Sequence, residues 1–71
     1  MAKSLLTDKQ WVDLIRLFCE YLRKDLRMGQ SYFNALAKVN PDLADKITDT
    51  EYDCFYDDNK VVNFIEYLRN D

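Results

Sequence analysis

The chain has 71 residues, 48% of them hydrophobic and 14% aromatic, with ten Lys/Arg, thirteen Asp/Glu and no histidine. That length holds a single domain, which buries only ~60% of the surface its unfolded form exposes, so the expected stability is a few kcal/mol. The composition excludes a disordered segment, the net charge of -3 excludes a strongly basic nucleic-acid binder, and the lack of any apolar run near ~20 residues excludes a bilayer span.

Two cysteines, Cys19 and Cys54, are too few for a disulfide framework, and the opening MAKSLL lacks the apolar run of a secretory signal. The expectation is a cytoplasmic protein with reduced thiols. Net charge divides unevenly: Met1 to Asn40 carries +3 and Pro41 to Asp71 carries -6. Such a split either holds the two halves together or presents an acidic face.

Thr7 and Gln10 have capping-box spacing just ahead of apolar periodicity that begins at Trp11, so helix one starts near Asp8. On a helical wheel Lys9, Asp13, Arg16, Glu20, Arg23, Lys24 and Arg27 share one arc, while Trp11, Leu14, Ile15, Phe18 and Leu22 centre the opposite side. Alternating signs mark the charged arc as a solvated face; a binding stripe is the competing reading. The apolar arc also takes in Val12, Leu17, Cys19, Tyr21 and Leu26. That breadth predicts a central helix packed on more than one side.

Asp25 breaks the arc and is placed to cap the next helix. Leu26 to Val39 reads as helix two, with Gly29, Phe33 and Leu36 along one edge and Arg27, Gln30, Asn34 and Lys38 along another. Gly29, the only glycine, marks a first turn or a close helix contact, since it costs ~1 kcal/mol relative to alanine inside a helix. Asn40 before Pro41 signals a third helix, Pro41 to Ile47. Thr48 to Tyr56 is expected to be an ordered connection, and Asp57 or Asp58 to cap a fourth helix carrying Val61, Val62, Phe64, Ile65 and Leu68. The fold class is therefore all-α: a compact bundle of about four helices with helix one central.

Little in the chain supports catalysis. Without histidine it lacks the commonest general base, the usual partner of a nucleophile and a leading metal ligand. Cys19, on the apolar face, and Cys54, with no cation nearby, both read as inert thiols. Asp53, Asp57 and Asp58 miss the EF-hand pattern, because the run lacks the required glycine and has Phe64 where the bidentate glutamate belongs. No metal and no cofactor are expected. The candidate recognition helix of a helix-turn-helix, PDLADKI, carries two aspartates and one lysine, which oppose entry into a polyanionic groove.

The strings RMGQSYFNAL, PDLADKI and DCFYDD together resemble a recurring class of short, uncharacterised proteins of bacteriophages and bacteria. The shared pattern is Arg-x-Gly-Gln, Asn-x-Leu, Pro-Asp-Leu and Asp-x-Phe-Tyr-Asp-Asp ahead of a final amphipathic helix, covering roughly Arg27 to Phe64. Members of the class often have proline where this chain has Cys54. The resemblance implies a bacterial or phage origin and no particular activity.

The leading functional expectation is a small non-enzymatic protein-interaction or regulatory module, one that a phage could direct at a host protein. Its expected docking surface combines Asp49, Glu51, Asp53, Asp57 and Asp58 with Tyr52 and Tyr56, because tyrosine joins apolar area to a polar tip. The edge formed by Arg27, Gln30 and Asn34 either pairs with the acidic connection, Arg27 meeting Asp53 or Asp57, or is itself a binding surface. The alternative function is nucleic-acid-related: DNA mimicry by the acidic half, or weak binding through helix one. A weak homodimer is expected from the apolar breadth of helix one.

Overall fold

The computed structural model describes residues 4–69; Met1 to Lys3, which begin the MAKSLL segment, and Asn70 to Asp71 lie outside that range. Its elements in chain order are α1 (Asp8–Arg23), α2 (Met28–Val39), α3 (Pro41–Ile47), a 3₁₀ turn (Asp58–Lys60) and α4 (Val61–Arg69). No strand occurs among the described residues, so the all-α bundle is as the periodicity predicts. No helix among them is long and apolar enough to cross a membrane.

The capping chemistry sets the boundaries. Thr7 Oγ1 accepts from the Gln10 amide at 3.1 Å while Gln10 Oε1 accepts from the Thr7 amide at 3.0 Å, the reciprocal pair that opens α1. Asn40 Oδ1 accepts from the Leu43 amide at 3.2 Å and Pro41 fills the first position of α3. At the end of α1, Asp25 adopts a left-handed backbone with φ 66°. Its amide donates to the Leu22 carbonyl and the Leu26 amide donates to the Tyr21 carbonyl, satisfying two of the orphan carbonyls of the helix. Asp25 therefore ends α1 instead of capping α2. Helix two begins at Met28, two residues later than its apolar pattern suggests.

Helix α2 holds the centre of the bundle, not α1 as the sequence suggests. It packs against α1, α3, the 3₁₀ turn and α4, and it contributes Gly29, Ser31, Ala35 and Leu36 to the interior. Only Leu14 of α1 is fully buried. The short neighbours of α2 cannot reach round α1, so Val12, Ile15, Cys19 and Leu22 on one flank of its apolar arc stay exposed. The inert-thiol reading of Cys19 as a buried residue is thereby corrected: the residue is exposed.

The core joins Leu6, Leu14, Ala35, Leu36, Leu43, Ala44, Ile47, Cys54, Phe64 and Leu68. An aromatic stack ties the layers together: Phe18 of α1 lies on Tyr32 of α2 with ring centroids 3.8 Å apart, and Tyr32 tilts against Phe64 of α4 at 5.8 Å. Burial raises the Tyr32 hydroxyl above its usual titration range. The chain closes on itself where the Leu5 amide donates to the Leu68 carbonyl at 2.8 Å. The Ser31 hydroxyl is buried without a hydrogen-bond partner.

Candidate functional site

The connection between α3 and the 3₁₀ turn is folded by its own polar side chains. Thr48 Oγ1 donates to the Ala44 carbonyl at 2.8 Å and Thr50 Oγ1 donates to the Ile47 carbonyl at 2.6 Å, so both threonines finish α3. Asp49 then turns the chain through a left-handed conformation, φ 64°, which a short polar side chain tolerates better than most. Both oxygens of Asp53 are committed: Oδ2 accepts from the Asp49 amide at 2.9 Å and Oδ1 from the Phe55 amide at 3.0 Å. Asp57 Oδ1 caps the 3₁₀ turn by accepting from the Asn59 amide at 2.9 Å.

This folding brings Asp49, Thr50, Asp53, Tyr56, Asp57 and Lys60 around one cleft of about 230 Å³. A second depression of about 250 Å³ adjoins it, lined by Phe33, Thr48, Asp49, Asp53, Phe55 and Tyr56. Tyr56 belongs to both and is 84% exposed. Its ring meets Phe55 edge-on at 4.7 Å, and Phe55 meets Phe33 of α2 edge-on at 5.8 Å. The result is a carboxylate-lined recess beside an aromatic shelf, with one tyrosine standing between them.

Of the residues expected at a docking surface, Asp49, Asp53, Tyr56 and Asp57 come together here. The other three do different work. Tyr52 stacks on Tyr67 of α4 at 4.5 Å, and the charge of neighbouring Glu51 holds its hydroxyl above the usual range. Glu51 itself is exposed. Asp58 reaches back to α2, where Oδ1 accepts from the Gly29 amide at 2.9 Å.

The Arg27, Gln30 and Asn34 edge does not grip the connection. Arg27 is the N-cap residue of α2, exposed and without a side-chain capping bond, and its proposed partners Asp53 and Asp57 are engaged with backbone amides instead. Gln30 and Asn34 are half-buried on α2. The grip comes through Gly29: besides the Asp58 bond, its carbonyl accepts from the Cys54 thiol at 3.3 Å. Burial pushes that thiol up to about 12, so Cys54 is protonated and unreactive.

Sequence reasoning missed Thr48, Thr50, Phe55, Lys60 and Phe33 as cleft residues, having read Phe55 only as an anchor of the connection. The threonines gave a usable signal, since Ser and Thr just after a helix often bond its last carbonyls. Phe33 and Lys60 gave none, because their place depends on how the connection lies across α2. Among the described residues, no group of three or more cysteines and carboxylates is placed to hold a metal ion. No protein-family model matches the chain, and no curated protein or solved structure matches it either.

Proposed function

We propose that the chain is a small protein-interaction module that acts without catalysis and docks a basic segment of another protein at the Tyr56 cleft. One observation carries the reading: Tyr56 is 84% exposed on a connection cross-braced by its own hydrogen bonds, with carboxylates on one side and an aromatic shelf on the other. An exposed tyrosine beside other aromatics offers a partner a large apolar area with a polar tip, and a connection already folded in the free chain has less ordering to lose on binding. Three carboxylates, Asp49, Asp53 and Asp57, against the single Lys60 leave the recess net negative and suited to a Lys or Arg head, and the shelf of Phe33 and Phe55 suits the apolar part of the same segment. The setting we infer is the bacterial cytoplasm, with a host protein of a phage-encoded module as the partner class.

The test is capture from a bacterial lysate by the immobilised chain, with and without nuclease. A protein retained after nuclease treatment and released by raised salt supports the reading, provided Tyr56→Ala abolishes retention. The open position of Tyr56 makes that variant innocuous to folding. Retention unaffected by Tyr56→Ala removes the cleft from consideration, and capture that disappears with nuclease moves the chain to a nucleic-acid-related role.

A further inference from the structure

The depression of about 250 Å³ beside the acidic recess is walled by three rings set at steep angles to one another: Phe33 of α2 meets Phe55 at 85°, and Phe55 meets Tyr56 at 71°. Its walls come from α2, from the residues that follow α3 and from the connection, so it is a corner between segments. Asp49 and Asp53 line it as well, whereas Lys60 lines only the recess. Two carboxylates therefore stand beside three rings with no cation among the lining residues. An aromatic ring attracts a cation to its face, and rings at an angle to one another can meet one cation from more than one side.

The hydrogen bonds of the corner narrow the choice of cation. Asp53 accepts from the Asp49 and Phe55 amides through both oxygens, and Thr48 Oγ1 donates to the Ala44 carbonyl. Asp53 thus offers its charge more readily than a further hydrogen bond. A Lys ammonium brings three N–H donors and an Arg guanidinium five, all of which need acceptors or water. A quaternary ammonium brings none, and its methyl groups lie on rings as apolar surface.

We propose that the corner of Phe33, Phe55 and Tyr56 binds a quaternary ammonium group, carried by a small cation such as choline or by a trimethylated lysine side chain. Asp49 and Asp53 supply the attraction at a distance and the rings supply the contact. Half-buried Phe33 and Phe55 are the settled walls, and exposed Tyr56 is the wall free to adjust over the methyl groups. The negative recess next door opposes any ligand with an anion beside its ammonium, so phosphocholine fits poorly. The site goes beyond the docking of a basic segment, because a small cation fills it without a protein partner.

The test is an NMR titration of the isotope-labelled chain with choline, followed at the amides of Asp53, Phe55 and Tyr56. Saturable shifts at millimolar concentration are expected, since cation–π contacts at an open site are individually weak. Neohexyl alcohol, the uncharged carbon isostere of choline, and ethanolamine, its unmethylated counterpart, should each bind at least about tenfold more weakly. Tyr56→Leu, which keeps apolar bulk without the ring, and Asp49→Asn, which keeps a residue tolerant of the left-handed backbone, should each weaken choline about fivefold or more with unchanged thermal unfolding. No saturable shift below about 100 mM, or equal binding of either control compound, overturns the proposal: the first leaves no site, the isostere an apolar patch and ethanolamine a surface for any cation. Phosphocholine binding as tightly as choline overturns the charge argument. A trimethyl-lysine peptide compared with its unmodified twin separates the sources. A preference of about tenfold places the group on a protein side chain, and its absence with choline binding intact places it on a free small cation. A chain that ignores choline yet retains a lysate protein through Tyr56 loses this site and keeps the docking reading.

Discussion

A β-carbon added at Gly29 would lie 2.0 Å from the carbonyl oxygen of Cys54, closer than any real side chain sits to a backbone atom. Gly29 therefore lets the α3–α4 connection rest directly on the first turn of α2. Its backbone φ is ordinary, so the requirement is for space and not for left-handed conformation. Gly29→Ala gains ~1 kcal/mol of intrinsic helix preference but forces two backbone segments apart. The expected net result is a loss of about 2 kcal/mol or more, read as a lower urea midpoint.

Asp58 supplies the helix cap that α2 lacks in its own sequence. Arg27 stands at the N-cap position without a side-chain bond, and the second amide of the helix is satisfied from 29 residues away. Asp58→Ala is expected to cost about 1 kcal/mol, the usual worth of an N-cap, and Asp58→Asn less because it keeps an acceptor oxygen. Equal losses from both substitutions would show that the charge, not the hydrogen bond, matters.

The thiols differ in environment and should differ in chemistry. Exposed Cys19 should react with a maleimide in the native chain, and buried Cys54 only after unfolding. Burial raises the Cys54 thiol from about 9 to about 12, so the folded state holds its proton where the unfolded state releases it. The stability this contributes is fully present below pH 9 and is lost as the pH rises from 9 toward 12. Tyr32, raised by burial, is shifted in the same direction and adds to that loss above pH 10. Urea midpoints measured across the alkaline range should fall accordingly, and Cys54→Ala should flatten the first part of the fall.

Phe18 and Leu22 have similar standing on a helical wheel but different places in the bundle. Phe18 stacks on Tyr32, whereas Leu22 is 39% exposed on the open flank. Phe18→Ala should cost about 2 to 3 kcal/mol and Leu22→Ala less than about 1 kcal/mol in the monomer. The contrast marks what the sequence could convey. Thr7 with Gln10 and Asn40 with Pro41 announce helix starts because capping is local chemistry, and both boundaries fall where those residues put them. Which side of α1 is covered depends on the lengths of α3 and α4 and on where they cross α2. The same holds for the cleft: its carboxylates are visible in the sequence, but Asp58 leaves the group to cap a distant helix, and Phe33 joins it from another.

Arg27 and Asp53 test whether the polar edge of α2 is structural. Charge pattern alone pairs them, yet Asp53 uses both oxygens to fix the turn around Asp49 and Phe55. Arg27 touches the fold mainly through its backbone carbonyl, which accepts from the Ser31 amide at 2.8 Å. Arg27→Ala should therefore change stability by no more than about 0.5 kcal/mol. Asp53→Ala leaves two amides of a tight turn without acceptors and should cost about 1 to 3 kcal/mol. Residues that share no bond contribute independently, so the double variant should equal the sum of the two within about 0.5 kcal/mol. A coupling above about 1 kcal/mol would mean that the guanidinium reaches the connection in solution, and the edge would then belong to the machinery that holds the Tyr56 cleft in place.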